Sequence, residues 1–483
     1  MNLTEYASSD ALGLAELVAK KHVSPKELAE TAAKAIAKAQ PAVGAVVETY
    51  PDRIDKLDEK TLGKGPFRGV PFVMKDVFGH EKGRKIEFGS RLCKGMVADT
   101  DSHYCELVRA AGVNILGRSA APEYSMSAST ETALYGNTST PWKKGYSAGG
   151  SSGGAQAAVS SGMVPIASGS DIGGSIRIPA SMCGGVGLKP SRGRISVGPT
   201  VDEGGLGFSA TFIQAKTLRD AAAMLDCLSA PQPGDPFVIP LPAQKYAALA
   251  TKPAKKLKIG IVLSELAGVK VDPEVAKAVE ATGKMLAGMG HHVEMAQADM
   301  GGVETLASMN DLFFFGFDAR LDGYARRAGT KPGPDTLEPA ILGMYQHAKT
   351  LTPAKFMAAL SAANVARRKL GAFYTKYDIW LSPTTARVSE PWGNYNLSKP
   401  GVTTASNLRD LFAIPCQYTI PHNIMGTPAL SLPLAMHSTG LPIGVQLAAR
   451  PAEEHVLLQL GTALEAAMPW AARVPPLHVS KLK

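Results

Sequence analysis

The sequence predicts an α/β protein in which a largely parallel or mixed β-sheet is covered by helices. Strand-like apolar runs alternate with helix-like segments along most of the chain, an order that is typical of α/β folds. With 483 residues, of which 45% are hydrophobic, the chain can bury a large core. The proline-rich segments at 231–242 and 329–339 are too short to force a domain boundary. We therefore predict one large domain.

The predicted strands are short apolar runs bounded by glycine or polar residues. They lie at 45–49, 70–74, 113–116, 164–167, 186–188 and 257–263, and as a hairpin at 429–435 and 443–449. The strand at 70–74 matters most for function, because it places Lys75 near its carboxyl end.

The predicted helices follow from apolar residues at helical spacing and from capping residues. Ser24, Pro25 and Glu27 match a capping box with proline at the first helical position. Thr217 and Asp272 are predicted caps of two later helices. Helices are expected within the first forty residues and at 102–111, 152–161, 175–182, 218–228, from 273 onward, and at 454–467.

Charge and cysteine content argue against several classes of partner. The net charge is +9, but the basic residues are scattered, and only four lysines in 252–258 and the Arg326–Arg327 pair form local clusters. A solvated basic surface is therefore favoured over a nucleic-acid groove. The five cysteines are widely spaced without a CxxC motif, as expected for reduced thiols rather than a zinc or redox site. The chain also lacks a signal-peptide pattern and an apolar run of about 18 residues. We therefore predict a cytoplasmic protein without a membrane partner.

Two glycine-flanked serines and one lysine are the candidate catalytic residues. Ser151 lies in the run GGSSGG at 149–154, and Ser175 lies in DIGGSIR at 171–177. Glycines allow the backbone to turn sharply and to approach a ligand closely. Together with Lys75, and without an obvious histidine partner, these serines indicate acyl transfer with a lysine base.

Other interpretations of these motifs are weaker. Glycine pairs often serve only close helix–strand packing, and the phosphate-loop pattern GxxxxGK[ST] is absent. Residues 149–153 formally match the GxSxG nucleophile elbow, but that elbow must follow a strand and residues 141–145 are a poor strand. His422 is the most tempting histidine partner, and we interpret it as a packed residue.

In combination, the motifs resemble those of the amidase signature family. The order of Lys75, Ser151 and Ser175, with a step of 24 residues from Ser151 to Ser175, matches the family pattern. Further matches at 69–72, 183–190, 381–384, 426–429 and 440–446 extend the resemblance over nearly the whole chain. The segments 193–196 and 464–470 are similar to the 6-aminohexanoate cyclic-dimer hydrolase and aryl acylamidase-like branch.

The resemblance implies a single α/β amidase domain over 1–483, with a large mixed β-sheet core covered by helices on both faces. Its expected parts are an N-terminal helical region (1–60), a catalytic signature core (61–200), a more variable substrate-pocket region (200–400) and a C-terminal part of the core (400–483).

The resemblance also implies roles for the three residues. Ser175 would be the nucleophile, Ser151 a bridging serine that relays a proton, and Lys75 the general base. The Gly150–Ser151 peptide is expected to be cis. These roles agree with general chemistry, because a serine hydroxyl needs a base to remove its proton before it attacks. Burial lowers the pKa of a lysine, so a buried lysine is neutral more often than an exposed one and can act as that base.

The loop before Ser175 is expected to stabilise an oxyanion. Ile172, Gly173, Gly174 and Ser175 offer successive backbone N–H groups ahead of a helix. Asp171 and Arg177 are expected to brace this loop rather than to react. No metal and no organic cofactor are implied.

The substrate pocket is less well defined. The candidates are Tyr124, Met126, Gly149, Gly150 and Phe314. Phe314 belongs to the run FFFGF at 313–317, which is unusual in a chain with 6% aromatic residues and is interpreted either as helix core or as an apolar wall.

The expected partner is a small-molecule substrate, an apolar, aryl, or linear or cyclic amide. Carbamate or ester hydrolysis by the same residues, a glutamine-amidotransferase of the A type, and a non-catalytic binding protein are the alternatives. A homodimer is possible by resemblance.

Overall fold

The structure is a computed structural model that describes residues 1–201, 205–302, 311–402 and 408–483. Its strands are β1 Val46–Thr49, β2 Pro71–Lys75, β3 Asn114–Ser119, β4 Glu131–Thr132, β5 Gly136–Asn137, β6 Ile166–Asp171, β7 Val186–Lys189, β8 Ala210–Ala215, β9 Lys258–Ile261, β10 His292–Met295, β11 Ile379–Pro383, β12 Ala429–Met436 and β13 Pro442–Ala448.

Eleven of these strands form one sheet in the order β1-β3-β2-β6-β8-β7-β12-β13-β11-β9-β10, and β4 and β5 form a separate small ribbon. Strands β3, β2 and β6 run parallel, as do β11, β9 and β10, whereas the pairs between β6 and β11 are antiparallel. The predicted mixed sheet is therefore confirmed.

The described helices are α1 Leu3–Ser8, α2 Ala11–Ala19, α3 Pro25–Val43, α4 Pro51–Ile54, α5 His103–Ala110, α6 Gly153–Ser160, α7 Arg177–Cys183, α8 Leu218–Leu228, α9 Tyr246–Ala250, α10 Pro273–Gly288, α11 Phe317–Ala328, α12 Pro339–Ala348, α13 Pro353–Gly371, α14 Leu408–Cys416, α15 Ile420–Met425 and α16 Glu454–Ala467. Short 3₁₀ turns lie at Glu59–Thr61, Arg91–Cys93, Glu123–Ser125 and Ala372–Thr375. In the described ranges, no helix is long and apolar enough to cross a membrane.

Local sequence explains where several helices begin. Thr217 and Asp272 cap α8 and α10 with their side chains, as predicted. Ser24 accepts a hydrogen bond from the Glu27 N–H at the start of α3. The Glu27 carboxylate contacts the Met1 amino group instead of the cap, so only half of the predicted capping box forms.

The largest buried cluster fills the space between the N-terminal helices, the sheet, α8 and α16. Strand β2 lies in this region with all five residues buried, between the parallel strands β3 and β6. A parallel strand that is buried on both faces is expected to be a continuous apolar run, as 70–74 is. Because the carboxyl ends of β2 and β6 meet at one edge of the sheet, the fold brings Lys75 next to the loop that carries Ser175.

Candidate active site

Lys75 ends strand β2 inside the protein. Its side chain is 1% exposed, and Nζ donates to Ser151 Oγ at 2.7 Å and to Ser170 Oγ at 2.9 Å. Burial lowers the pKa of the Lys75 ammonium to about 7, although the charge of Asp171 opposes this decrease. A lysine with this pKa can act as a base near neutral pH.

Ser151 follows a backbone turn that only glycine allows. The Gly150–Ser151 peptide is cis, as expected, and Gly149 has a φ of +75°. A Cβ atom on Gly150 would lie 2.6 Å from both the Ser127 carbonyl oxygen and the Ser129 nitrogen. The 127–129 loop therefore packs directly against the backbone that presents Ser151.

Ser175 lies in the loop between β6 and α7. It is 8% exposed, and its carbonyl accepts a hydrogen bond from the Ser152 N–H at 3.2 Å. The hydroxyls of Ser151 and Ser175, both in the described residues, are not hydrogen-bonded to each other in this structure. Hydrogen bonds between catalytic groups are often long until a substrate binds.

The loop offers fewer free N–H groups than the sequence suggested. The Gly174 N–H donates to Asp171 Oδ1 at 2.8 Å, so the prediction that it faces an oxyanion needs correction. Among the described residues, none accepts a hydrogen bond from the N–H of Ile172, Gly173 or Ser175. Three of the four predicted donors remain available.

A buried ion pair braces this loop. Arg177 donates through Nε and Nη2 to the two Asp171 carboxylate oxygens, each at 2.9 Å, and both residues are fully buried. Burial alone would raise the pKa of Asp171, but the charge and hydrogen bonds of Arg177 hold it well below its usual range. Arg177 also donates to the Thr419 carbonyl at 2.8 Å and to Asn423 Oδ1 at 2.6 Å. The bracing role expected of Asp171 and Arg177 agrees with these contacts.

Sequence reasoning missed Ser170. The strand predicted at 164–167 extends to Asp171 as β6, so Ser168 and Ser170 point to the same side of the strand. Ser168 Oγ accepts from the Lys75 backbone N–H at 3.0 Å, and Ser170 Oγ accepts from Nζ. If the strand had been extended over the run SGSD at 168–171, the alternation of its side chains would have placed Ser170 on the same side as Ser168, next to Lys75.

The five pocket candidates lie in different surroundings. Gly149 and Gly150 belong to the turn before Ser151, and a Cβ on Gly149 would lie 2.9 Å from Pro179 Cα. Tyr124 is 8% exposed, and its ring stacks on Phe88 with centroids 6.0 Å apart. Met126 is half-buried against the same apolar cluster.

Phe314 is 2% exposed and its ring meets that of His347 edge-on at 5.9 Å, so it lies in the core. Its neighbour Phe313 is half-buried instead. Phe313 packs against the cluster that contains Tyr124 and also against the cluster that Ile172 contacts. Within the run 313–317, Phe313 is therefore better placed than Phe314 to line a cleft.

His422 is a packed residue, as interpreted from the sequence. Its side chain is fully buried, Nδ1 is 3.1 Å from Thr427 Oγ1, and the ring packs edge-on against Trp380. Burial, with the charges of Arg177 and Lys189, holds the pKa of His422 well below its usual range.

The nucleophile-elbow alternative for Ser151 requires a strand immediately before the serine. Residues 141–150 form turns and isolated bridges instead of a strand, so the structure does not support this alternative.

In the described part of the chain, no group of three or more histidine, cysteine, aspartate or glutamate side chains is arranged to hold a metal ion.

Comparisons with known proteins identify the family of this chain. A family model described as Amidase matches residues 27–458. The chain is 34% identical over 481 residues to the 6-aminohexanoate-cyclic-dimer hydrolase of Paenarthrobacter ureafaciens, an alignment that covers 97% of this chain and 96% of the relative. It is 31% identical over 498 residues to the A-type subunit of Glutamyl-tRNA(Gln) amidotransferase from Synechococcus sp. (strain RCC307), covering 97% of this chain and 98% of that protein.

A solved structure of 6-aminohexanoate cyclic dimer hydrolase matches with a TM-score of 0.93 at 33% identity, over 98% of this chain and 99% of the other. The resemblance proposed from the sequence is thus confirmed. The chain belongs to the amidase signature family and is a hydrolase of carbon–nitrogen bonds other than peptide bonds.

Proposed function

We propose that this amidase works through an acyl-enzyme on Ser175, with Ser151 as proton relay and Lys75 as general base. The observation that carries the proposal is the buried Lys75, whose Nζ lies 2.7 Å from Ser151 Oγ and whose pKa is lowered to about 7. A lysine can accept a proton only when it is neutral, and burial supplies that condition.

The first half-reaction forms the acyl-enzyme. Ser175 Oγ attacks the amide carbonyl carbon while its proton passes to Ser151, whose own proton passes to Lys75 Nζ. The tetrahedral intermediate places its negative oxygen against the N–H groups of Ile172, Gly173 and Ser175. The carbon–nitrogen bond then breaks, and the amine leaves with a proton returned through Ser151.

The second half-reaction restores the enzyme. A water molecule attacks the acyl carbon while its proton passes through Ser151 to Lys75 Nζ. The ester bond to Ser175 then breaks, the carboxylic acid leaves, and Ser175 Oγ takes the proton back through Ser151. The N–H donors act in both halves, and removing one such donor typically costs about 3–4 kcal/mol of barrier.

The substrate that we propose is an amide with an apolar part, either aryl or aliphatic and either linear or cyclic. Support comes from half-buried apolar side chains: Ile172 lies in the loop before Ser175, and Met126 and Phe313 pack against the apolar cluster that contains Tyr124. The hydrolase from Paenarthrobacter ureafaciens acts on 6-aminohexanoate cyclic dimer according to its name. Carbamates and esters fit the same acyl-enzyme chemistry, whereas a homodimer and a cytoplasmic location stay predictions from the sequence.

The test is a turnover screen with purified enzyme and its Ser175→Ala variant. The panel contains anilides, linear amides, 6-aminohexanoate cyclic dimer, carbamates and glutamine. We expect hydrolysis of apolar amides by the wild type and none by the variant. Hydrolysis of glutamine alone would favour the amidotransferase alternative, and turnover retained by Ser175→Ala would contradict the assignment of the nucleophile.

A further inference from the structure

The proposed oxyanion loop contains two consecutive glycines, whose backbone conformation must be fixed by contacts with other residues. Gly173 and Gly174 have no side chains to pack, and glycine has the largest conformational freedom of any residue. Oxyanion stabilisation, however, depends on donors that are fixed before the reaction begins. The structure therefore needs contacts from outside the loop that fix its peptide planes.

The Gly173–Gly174 peptide is held on both sides. Its carbonyl accepts a hydrogen bond from Thr419 Oγ1 at 2.5 Å, and its N–H donates to Asp171 Oδ1 at 2.8 Å. The C=O and N–H of a trans peptide point in opposite directions in one plane. Two bonds on opposite edges therefore fix the orientation of this plane.

The neighbouring peptides are anchored through their carbonyls as well. The Asp171 carbonyl accepts from Asn423 Nδ2 at 3.0 Å, and the Gly174 carbonyl accepts from the Ile178 N–H at 2.7 Å. By the same planarity, the N–H groups of Ile172 and Ser175 point away from these anchors.

Thr419 fits this position closely. It is fully buried immediately before α15, and its own carbonyl accepts from Arg177. A Cβ on Gly174 would lie 2.4 Å from Thr419 Oγ1, so the hydroxyl packs directly on the glycine. The loop and Thr419 are 246 residues apart in sequence, measured from Gly173.

We propose that Thr419 is a positioning residue of the oxyanion site, whose hydroxyl clamps the Gly173 carbonyl and so orients the flanking N–H groups. The inference rests on the proposed function of the loop. In this role Thr419 acts on the reaction only through the backbone of the loop.

Thr419→Val tests the clamp because valine keeps the shape of threonine and lacks the hydroxyl. We expect kcat on an amide substrate to fall about 10- to 100-fold, with KM changed less than about twofold, because the oxyanion forms only after binding. Thr419→Ser keeps the hydroxyl and should retain most of kcat. A role in packing alone would predict the opposite order, since serine loses the methyl group.

A second readout is the rate at which a fluorophosphonate labels Ser175. The P=O oxygen of the fluorophosphonate accepts hydrogen bonds from the same N–H donors, but labelling does not require that the enzyme hydrolyse an amide. The labelling rate therefore tests the role of Thr419 separately from the proposed amide hydrolysis. Thr282→Val is the matched control, because Thr282 is equally buried and donates to the Ala278 carbonyl at 2.9 Å within α10. The control should keep the wild-type kcat and labelling rate.

The expected result is slow turnover and slow labelling for Thr419→Val, with recovery in Thr419→Ser. Equal rates for Thr419→Val and wild type would overturn the inference, as would equal losses in the valine and serine variants. A wild type that labels readily but hydrolyses no amide would contradict the proposed function, and the labelling rates would still decide on Thr419.

Discussion

Replacing Lys75 with arginine keeps a positive charge at the end of β2 but removes the possibility of a neutral base. The wild-type lysine is buried, and burial lowers its pKa from 10.5 to about 7. At pH 7 about half of the lysine side chains are then neutral, against about one in 3,000 for a lysine of ordinary pKa. Arginine has a pKa above about 12 and stays protonated throughout.

The pH profile of kcat/KM follows from this pKa. Below about pH 7 the neutral fraction of Lys75 falls tenfold for each pH unit, so kcat/KM at pH 5 should be about 100-fold below its plateau. The plateau should begin at about pH 8. Lys75→Arg and Lys75→Ala should both lose at least about 100-fold on the plateau above about pH 8, where wild-type Lys75 is neutral, since a general base contributes about 10²- to 10⁴-fold.

The assay is steady-state hydrolysis of one amide from pH 5 to 10, with circular dichroism at each pH to confirm that the enzyme remains folded. A flat profile between pH 5 and 9 would refute the assignment of Lys75 as the base. A kcat/KM for Lys75→Arg above a tenth of the wild-type plateau value would also refute this assignment. Such a result would show that position 75 needs a positive charge and not a base.

Three further variants, one of them with a matched control, probe the surroundings of the site. Ser170→Ala should lower kcat about tenfold and move the acidic limb of the pH profile to lower pH, because the Lys75 ammonium loses an acceptor 2.9 Å away. Phe313→Ala should lower kcat/KM for anilides relative to a short aliphatic amide, whereas Phe315→Ala, which changes a ring 36% exposed, should leave that ratio unchanged. Asp171→Asn should reduce the free energy of unfolding in urea by about 3–5 kcal/mol, because it leaves a buried guanidinium without its carboxylate.

Much of the fold could be predicted from local sequence patterns. The helices at 218–228 and 454–467 have the predicted bounds, and the C-terminal hairpin forms as expected. Capping residues and unbroken apolar periodicity are local signals, so they can be identified without knowing the neighbours. Strands such as β8 and β11 were missed, because what makes them strands is pairing with residues distant in sequence.

The site residues also fall into those that local sequence patterns identify and those that only the folded structure reveals. Lys75, Ser151 and Ser175 lie in glycine-rich or strand-end motifs that can be recognised in the sequence. Ser170 depended on where β6 ends, which local patterns placed four residues too early. Thr419 had no local signal, since its role arises only when the chain folds it against a loop 246 residues away in sequence.

Peptide mapping of the enzyme after labelling with a fluorophosphonate tests the central claim most directly. We predict a single adduct on Ser175, no labelling of the Ser175→Ala variant, and slow labelling of the Lys75→Ala variant. An adduct on Ser151, or full labelling of Ser175→Ala at another serine, would contradict the account.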